Sequence, residues 1–389
     1  MNPSMTLTAF ALLAWALVGL SAAGCLFLGF SALAVRRIFA RPPRQGRTRP
    51  PISILKPLCG ADHDLAENLC SFCRQDYPDF QVVFGVRDRA DPAVATVERL
   101  MAEFPDSDLV LVADRRQRGR NLKVANLHNM LPAARHDVLI IADSDMRVGP
   151  GYLATVSAPL ADPAVGLVTC LYRGAPAGGL WSRLACLHIN HGFLPQAAVG
   201  EVIGAGAGCF GASIALRREM LERIGGLRAI EDDLADDYAL GAAVRRAGGR
   251  VELCPYLVEN VIAEPSLSAL FRHELRWART IRLVAPLGFV GSIVTQPVVM
   301  AALAASLGVL PTAGPAMLVA ALLCRSASVF AVDRALGLPP SPLYLLPVRD
   351  VLSFAVFVAS FFTHKVEWRD RTFRVGPGGE LTLDGDSRA

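Results

Sequence analysis

The amino-acid sequence predicts an α/β domain with a Rossmann-like, mostly parallel sheet, flanked by transmembrane helices. Between about residues 51 and 174, strand-like segments alternate with segments of helical periodicity, the order typical of a parallel sheet covered on both faces. Residues 1–35 and 283–324 contain no charged residue, and each stretch exceeds the roughly 20 apolar residues with which a helix crosses a bilayer. A mean hydropathy of +0.38 over 389 residues is too high for an ordinary soluble enzyme.

The first apolar segment, residues 1–35, is predicted to be a transmembrane helix and not a cleaved signal peptide. It lacks a basic start, and its apolar stretch is too long for a signal peptide. Six arginines follow with no acid among them: Arg36, Arg37, Arg41, Arg44, Arg47 and Arg49. By the positive-inside rule this flank is cytoplasmic, and it would also attract anionic lipid. Nucleic-acid binding is disfavoured because the cluster has no interleaved aromatic residues.

The α/β domain is predicted from five strand segments, each followed by a turn or a helix. The strands are "PISILKPLCG", "FQVVFGVRD", "DLVLVAD", "HDVLIIADSD" and "VGLVTCLY". The helices are "DLAENLCSFCRQ", "DPAVATVERLMAEF", "NLKVANLHNML" and "PGYLATVSAPL". Because no G-x-G-x-x-G follows the first strand, a dinucleotide cofactor is disfavoured. Further along, "GAGAGCFGASIALRREM" predicts a Gly-rich loop and an irregular strand, and "LADDYALGAAVRRAGG" predicts a helix. Close approach to a substrate and tight packing explain the Gly-rich loop equally well.

The domain boundaries follow from these composition changes. They are an N-terminal transmembrane helix over 1–35, a basic cytoplasmic linker over 36–50, the α/β domain over 51–264, an interfacial amphipathic helix over 265–285, two or three transmembrane segments over 286–363 and a polar tail over 364–389. The predicted C-terminal spans are 290–310, 312–332 and 343–363. The second carries Arg325, and Arg349 and Asp350 interrupt the third. The basic tail favours the cytoplasm, which requires an even number of crossings after the domain. A re-entrant or interfacial last segment would satisfy that requirement.

Acidic residues follow two of the predicted strands, at the edge where α/β sheets bind ligands. Asp88 ends the second strand, and Asp143 and Asp145 follow the buried run "DVLII". Carboxylates there are costly unless they are hydrated, paired or bound to a cation. One or two carboxylates together with substrate phosphates form a typical Mg²⁺ site. A lone D-x-D is a weak signal, and surface acids are the alternative, but the position after a buried strand favours function.

Three other segments carry candidate site residues. "LADDYALG" places Asp236 and Asp237 at a helix start, where close acids raise one another's pKa and suit one of them to act as a general base. "RGRNLKVAN" offers Lys123 and Asn126 to phosphate, although an exposed basic turn explains this segment equally well. "HELRW" puts His273, Arg276 and Trp277 on one helical face, where interfacial anchoring is the alternative to gripping a diphosphate.

The nine cysteines are predicted to be free thiols, as expected on the cytosolic side of a membrane. Cys70 and Cys73 form a C-x-x-C, but no second pair completes a zinc site.

Taken in order, the motifs resemble a membrane-bound glycosyltransferase of family 2 or 21 with the GT-A fold. The similarity is greatest to ceramide glucosyltransferases and to the hopanoid-biosynthesis-associated glycosyltransferases of bacteria. It rests on "ISILKPLCGAD", "DYPDFQVVFGVRDRADPA", "NLKVANL", "ADSDMRV", "LADDYALG" and "RHELRWARTIR", and it covers roughly residues 50–285. The ordered set is specific, although no single motif is decisive.

The resemblance implies a role for each matching residue. Asp88 would lie at the uridine of a UDP-sugar, Asp143 and Asp145 at a Mg²⁺ or Mn²⁺ ion and the diphosphate, and Asp237 would be the base. Arg276 and Trp277 match the closing motif of the family, whereas His273 stands where Gln or Arg is usual. Ceramide glucosyltransferases often have a small residue where Asp145 stands, which favours the hopanoid-type branch and a bacterial inner-membrane location.

The implied activity is inverting transfer of a hexose, glucose or N-acetylglucosamine, from a UDP-sugar to the hydroxyl of a hopanoid or ceramide. A processive polysaccharide synthase is an alternative, but two or three spans after the domain are few for a polymer channel. A non-catalytic sensor of nucleotide-sugar would not need a base at Asp237. A transporter is disfavoured by the size of the α/β domain.

Overall fold

The structure is a computed structural model that describes residues 3–44, 46, 48–61, 63–204, 208–362, 365–368, 371–375 and 381–383. It divides into two compact units. The helical unit comprises Met1–Ala40, Leu187–Val202 and Ser266–His364. The sheet unit comprises Arg41–Cys186, Ile203–Pro265 and Lys365–Ala389.

The sheet unit is built on an eight-stranded sheet in the order β3-β2-β1-β4-β7-β6-β8-β5. Its strands are β1 (Ile52–Pro57), β2 (Phe80–Val86), β3 (Asp108–Ala113), β4 (Val138–Ile141), β5 (Met146–Arg147), β6 (Val165–Pro176), β7 (Ile214–Arg217) and β8 (Arg250–Ile262). A separate antiparallel sheet consists of β9 (Lys365–Trp368), β10 (Arg371–Val375) and β11 (Leu381–Leu383). The five regular strands predicted from the sequence are β1, β2, β3, β4 and β6, and the irregular strand predicted after the Gly-rich loop is β7.

The large sheet combines a parallel half with a mixed half. Strands β3, β2, β1 and β4 pair in parallel, and so do β6 and β8. By contrast, β7 is antiparallel to β4 and β6, and β5 is antiparallel to β8. The predicted α/β class is confirmed. The antiparallel direction of β7 could not be predicted from the sequence, because a strand of four residues in an irregular, Gly-rich region gives no indication of its direction.

Helices occur in both units. They are α1 (Pro3–Phe39), α2 (Leu65–Cys73), α3 (Ala93–Glu103), α4 (Leu122–Met130), α5 (Tyr152–Ser157), α6 (Gly179–His188), α7 (Leu194–Val202), α8 (Arg218–Arg223), α9 (Asp236–Arg246), α10 (Leu267–Val284), α11 (Pro286–Gly291), α12 (Pro297–Ser306), α13 (Ala313–Leu336) and α14 (Leu346–Ala359). A π-helical turn, Ile189–Phe193, joins α6 to α7.

The sheet unit has a hydrophobic core on each face of the sheet. Alternate residues of a strand point to opposite faces, so Ile54 joins one core while its neighbour Leu55 joins the other. Leu69 of α2 packs in the first core and Leu127 of α4 in the second. Covered on both faces, β4 is a continuous apolar run, whereas β1 is buried but also carries Ser53 and Lys56. Their carboxyl ends therefore have a fixed position at the edge of the sheet.

The helical unit contains the apolar helices. Among the described residues, three helices are long and apolar enough to cross a membrane, Thr6–Phe39, Ala313–Leu336 and Leu343–Phe362, and a bent pair makes a fourth if its two parts form one span. The predicted span over 290–310 corresponds to a bent pair of helical segments, Pro286–Thr295 and Pro297–Ser306, whose axes differ by 65°. Pro297 begins α12, and a proline there has no N–H with which to continue the preceding helix.

Candidate active site

The carboxylates predicted at the strand ends lie where β2 and β4 finish. Asp143 and Asp145 flank a tight turn between β4 and β5, and Asp88 follows β2. The carbonyl of Asp145 accepts a hydrogen bond from the N–H of Val261 at 3.0 Å, so β8 supports this turn. The side chain of Asp143 is about one-third exposed, at 34%. It is therefore accessible to a ligand from outside the domain.

Lys123 is fixed in place by the cap of α4. The side chain of Asn121 accepts hydrogen bonds from the N–H groups of Lys123 and Val124, at 3.0 and 3.1 Å. Its amide also donates to the carbonyl of Asp233, at 2.8 Å, in the segment that precedes α9. The start of α4 is thus bound to the start of α9. This contact, between residues more than 100 positions apart, brings Lys123 to the acids of α9.

A glycine allows the two segments to approach. Gly119 has a left-handed φ of +67°, and a Cβ atom there would lie 2.4 Å from the carbonyl oxygen of Glu231. The N–H groups of Arg120 and Asn121 donate to that same oxygen, at 3.0 and 2.9 Å. Any larger residue at position 119 would force the loop away from α9 and displace Lys123.

Lys123 forms the centre of a charged cluster. Its Nζ lies 2.7 Å from Oδ1 of Asp143 and 3.3 Å from Oδ2 of Asp236. Burial opposes the charged ammonium, but the attraction of Asp143 and Asp236 outweighs it and raises the pKa of Lys123. The ammonium therefore stays protonated and joins the strand-end acid to the acids of α9.

Asp237 is the most strongly perturbed acid of this cluster. Its Oδ2 accepts a hydrogen bond from the N–H of Gly211 at 2.8 Å, and its Oδ1 accepts one from the N–H of Tyr238 at 2.7 Å. Burial, followed by repulsion from Asp236, raises the pKa of Asp237 to about 6 even though Lys123 lowers it. A carboxylate that titrates near neutrality is suited to accept a proton.

The side chains of Asp237, Lys123 and Asp143 converge on one point, beside Gly211. A Cβ atom on Gly211 would lie 3.3 Å from Oδ2 of Asp237, 3.4 Å from Nζ of Lys123 and 3.6 Å from Oδ2 of Asp143. Three groups from β4, α4 and α9 are thus within reach of one small molecule. Because Gly211 has no side chain, the three groups can approach its backbone closely, and its N–H donates a hydrogen bond to Asp237.

Sequence reasoning missed Lys56, which lies under the turn of the two acids. Its side chain is fully buried, its Nζ donates to the carbonyl of Asp143, and the ammonium lies 3.8 Å from the ring centre of Phe72. Burial lowers its pKa to about 7, although Asp143 and Asp145 favour the charged form. A lysine within a strand predicted to be buried on both faces was the available signal.

Asp88 follows β2, which β1 separates from β4 in the sheet, and Asn126 lies on α4. Asp88 pairs with Arg115, and the N–H of Ala90 and then this arginine hold the pKa of Asp88 below its usual range. The side chain of Asn126 is buried and donates to the carbonyl of Gly85 at 2.8 Å. This bond anchors α4 to β2. A role of either residue in binding a UDP-sugar stays a prediction.

The residues predicted from "HELRW" belong to the helical unit, on α10. His273 and Trp277 stack edge to face there, with ring centroids 4.4 Å apart, and Arg276 lies on the same helix. Their part in the site stays a prediction. The nine cysteines are free, as predicted, and Cys70 and Cys73 are both buried.

A metal is compatible with this donor set if the substrate supplies ligands of its own. Within the described ranges, no three His, Cys, Asp or Glu side chains are grouped closely enough to hold an ion. Asp143 and Asp145 alone provide two carboxylates, and Mg²⁺ commonly takes one or two carboxylates and completes its shell with phosphate oxygens and water.

Comparison with known proteins identifies the family. Residues 15–381 match the model of Glycosyl transferase family 21. Ceramide glucosyltransferase 3 of Caenorhabditis elegans is 23% identical over 366 residues, which are 87% of this chain and 75% of that protein. Ceramide glucosyltransferase 1 of the same organism is 24% identical over 60% of this chain, which spans only half the length of that protein. An N-acetylglucosaminyltransferase of Rhizobium meliloti is 24% identical over 62% of this chain and 58% of its own length.

A solved structure has the same architecture. The mannosyltransferase PcManGT from Pyrobaculum calidifontis, in complex with GDP-Man and Mn²⁺, superposes with a TM-score of 0.54 over 90% of this chain and 99% of its own. At 21% identity this likeness shows the fold alone, and it confirms the predicted GT-A architecture. With the family model covering nearly the whole chain, the predicted resemblance is confirmed as well: the chain belongs to glycosyl transferase family 21.

Proposed function

We propose that the protein is an inverting glycosyltransferase that moves a hexose, glucose or N-acetylglucosamine, from a UDP-sugar to the hydroxyl of a membrane lipid. The product would be a β-linked glycolipid, with a hopanoid or a ceramide as the acceptor. The observation that carries this proposal is the convergence of Asp143, Lys123 and Asp237 beside Gly211. The names of the relatives, ceramide glucosyltransferases and an N-acetylglucosaminyltransferase, support a lipid acceptor and these two sugars.

In the proposed reaction the protein positions the two substrates and moves one proton. Asp237 takes the proton of the lipid hydroxyl, whose oxygen attacks the anomeric carbon on the face opposite UDP. The bond from that carbon to the UDP oxygen breaks, and its electron pair leaves with UDP. Lys123 and Arg276 would hold the diphosphate, and Trp277 would offer a stacking face. Most of the rate enhancement would come from orientation and from stabilising the leaving charge.

A divalent cation is part of the proposal. Asp143 and Asp145 would hold Mg²⁺ or Mn²⁺, which would neutralise negative charge on the departing diphosphate. PcManGT was solved with Mn²⁺, which supports a metal in this fold. Asp88 would contact the uridine.

We expect the sheet unit to face the cytoplasm of a bacterium, because it follows the arginines after α1. Within the helical unit, Sγ of Cys324 lies 3.4 Å from the carbonyl of Cys25, and Oγ of Ser328 lies 3.4 Å from that of Leu28. From the first contact to the second, the position moves toward the carboxyl end in both helices, from Cys25 to Leu28 in α1 and from Cys324 to Ser328 in α13. The two helices therefore run parallel. The carboxyl ends of both helices would then lie on the cytoplasmic side.

The last apolar segment would stay on that side. Glu274 of α10 binds Arg349 of α14, and the guanidinium of Arg282 lies 5.6 Å from the ring centre of Phe361. The segment from Leu343 to Phe362 therefore runs along the amphipathic α10. If α10 lies in the interface, the segment beside it need not cross the bilayer, and the basic tail remains cytoplasmic.

The test is a transfer assay with the full-length protein in detergent. It would be incubated with Mn²⁺, labelled UDP-glucose or UDP-N-acetylglucosamine, and ceramide or a hydroxylated hopanoid. We expect one sugar per lipid, a β linkage by NMR, and loss of transfer on adding EDTA. A chain of sugars would instead identify a processive synthase. UDP release that does not depend on any added lipid would contradict a lipid acceptor.

The acceptor-dependent rate should depend on pH through Asp237. The carboxylate must be ionised to accept a proton, so kcat/KM for the lipid is expected to fall as the pH drops through about 6. Asp236→Asn removes the negative charge that helps to raise this pKa, so the acidic limb of the curve of kcat/KM against pH should move to lower pH. Asp106→Asn, an exposed acid elsewhere, should leave the limb unmoved. A limb that stays in place in Asp236→Asn would contradict the assignment of Asp237.

Lys56→Met should weaken metal binding without unfolding the protein. Methionine fills nearly the same volume and removes a buried ammonium, so the melting temperature should stay the same or rise. The turn of Asp143 and Asp145 loses its anchor, however, and we expect the affinity for Mn²⁺ with UDP to fall about tenfold. Isothermal titration calorimetry measures this affinity. Unchanged Mn²⁺ binding in a folded variant would show that Lys56 does not position the turn.

A further inference from the structure

The helical unit contains a small cavity whose walls are unusually polar for a set of apolar helices. Its volume is about 30 Å³. Apolar residues of α1, Phe27 and Leu28, form part of the lining. The polar lining comes chiefly from His188, His191, Gln196, Gln296, Arg325 and Asp350. Polar groups within membrane helices are expensive to bury and mark functional sites more often than polar groups elsewhere.

The charged residues around this cavity neutralise one another. Nη2 of Arg325 lies 3.1 Å from Oδ1 of Asp350. The guanidinium of Arg349 binds both carboxylate oxygens of Glu274, at 2.7 Å each. A charged ligand would have to compete with these pairs. The two ion pairs therefore leave neither arginine available as the counter-ion of an anionic phosphate.

Uncharged hydrogen-bonding groups remain open. Nε2 of His191 lies 2.8 Å from Oγ of Ser341 and 3.2 Å from Oδ1 of Asp333. Its Nδ1 is buried and has no hydrogen-bond partner within the part of the chain that the structure describes, although His191 is only 3% exposed. The side-chain amides of Gln196 and Gln296 line the same cavity. A buried donor or acceptor left without a partner is destabilising, so a ligand or water that bonds to it is favoured.

The backbone around His191 departs from a regular helix. Residues Ile189–Phe193 form a π-helical turn, a feature that is rare and is frequently found at functional sites. The carbonyl of His191 accepts a hydrogen bond from Nη1 of Arg325 at 2.9 Å. This hydrogen bond holds the backbone of His191, and the contact of Nε2 with Ser341 holds its ring. The position of Nδ1 is therefore defined.

We propose that this cavity binds a single uncharged polar group, a hydroxyl or an amide, of a membrane lipid. A volume of about 30 Å³ admits a group the size of one water molecule, but not a phosphate or a sugar. The inference rests on the proposed function and deepens it, since the lipid bound here is the acceptor. A lipid that is held by one polar group and glycosylated at another must carry two. Acceptors with a second uncharged polar group are therefore preferred over simple long-chain alcohols.

Direct binding of a fluorescent ceramide tests this site without any sugar transfer. The full-length protein would be reconstituted in phosphatidylcholine nanodiscs and titrated with ceramide that carries a fluorophore on its acyl chain. His191→Gln keeps a nitrogen in the place of Nε2, facing Asp333 and Ser341, and removes Nδ1. Gln296→Leu removes an amide that makes no side-chain hydrogen bond in the described chain. Each is expected to weaken ceramide binding about three- to tenfold, the loss of one hydrogen bond.

Ser306→Val is the matched control, because Ser306 lies in the same unit, is exposed and does not line the cavity. It should bind ceramide as the wild type does, and UDP affinity should be equal in all four proteins. Ceramide binding that is unchanged in His191→Gln and Gln296→Leu would overturn the proposal. So would competition by phosphatidic acid, which has neither an alcohol nor an amide, as strong as that by unlabelled ceramide. If the cavity variants weaken binding but no UDP-sugar is ever transferred, the proposed function fails and the binding site stands.

Discussion

Asp237→Asn is expected to lower kcat for sugar transfer about 10²- to 10⁴-fold, the contribution typical of a general base. An asparagine cannot take the proton of the lipid hydroxyl, whereas Lys123, Asp143 and Asp145 remain to bind the donor. UDP affinity should therefore change little. Single-turnover transfer from labelled UDP-sugar, measured beside UDP binding by calorimetry, separates the two effects.

The fold should tolerate this change. Asn keeps one oxygen for the N–H of Gly211 or of Tyr238 and loses the other acceptor, which costs about 1–3 kcal/mol for a fully buried group and less here, because Asp237 is only partly buried. Removal of a buried negative charge next to Asp236 offsets part of that loss. Asp106→Asn is the control for an acid outside the site and should turn over normally. Near-normal rates in Asp237→Asn would remove Asp237 from the mechanism, and a parallel loss of UDP binding would make it a binding residue.

Lys123→Met is expected to have the second largest effect, because it removes the cation that contacts both Asp143 and Asp236. Breaking a fully buried ion pair costs about 3–5 kcal/mol of unfolding free energy, and we expect about 2–3 here because Asp143 is one-third exposed. Affinity for UDP should also fall at least about tenfold, since a phosphate loses its charged partner. Chemical denaturation and calorimetry measure the two losses.

Two further variants separate charge from shape. Lys123→Arg keeps the charge and should retain most of the stability. In the double variant Lys123→Met with Asp143→Asn, the uncompensated acid is gone, so the two stability losses should not add, with a coupling energy of about 1–3 kcal/mol. Additive losses would show that the two side chains do not interact. Unchanged UDP binding in Lys123→Met would show that the lysine serves the fold alone.

Much of the architecture could be predicted because it is written in local patterns. The runs around Ile54 and Ile140 are buried on both faces, so they read as strands of a parallel sheet without further information. The charge-free stretches marked the apolar helices in the same way. Asp143 and Asp237 could be identified as candidates because the sequence alone shows an acid at the end of a strand and an acid at the start of a helix. The motif order then indicated the family, which the family model confirms.

What was missed depends on contacts between distant segments. Lys56 looked like one more strand residue until the structure placed its ammonium under the carbonyl of Asp143, 87 positions away. The hydrogen bond from Gly211 to Asp237 comes from a Gly-rich loop whose purpose the sequence left open between close approach and tight packing. The ion pairs of Arg325 and Arg349 looked like interruptions of apolar spans, whereas each arginine has a buried carboxylate partner.

The sequence by itself determined the class of fold, the apolar helices at both ends and the list of acids and bases from which a site could be built. These properties depend on composition and periodicity, which act over a few neighbouring residues. Only the tertiary structure decided which of those groups meet, because the pKa of Asp237 and the pairing of Lys123 arise from burial and from charges supplied by other segments. The direction of β7 and the polar cavity around His191 were decided in the same way, by packing between parts of the chain that are far apart in sequence.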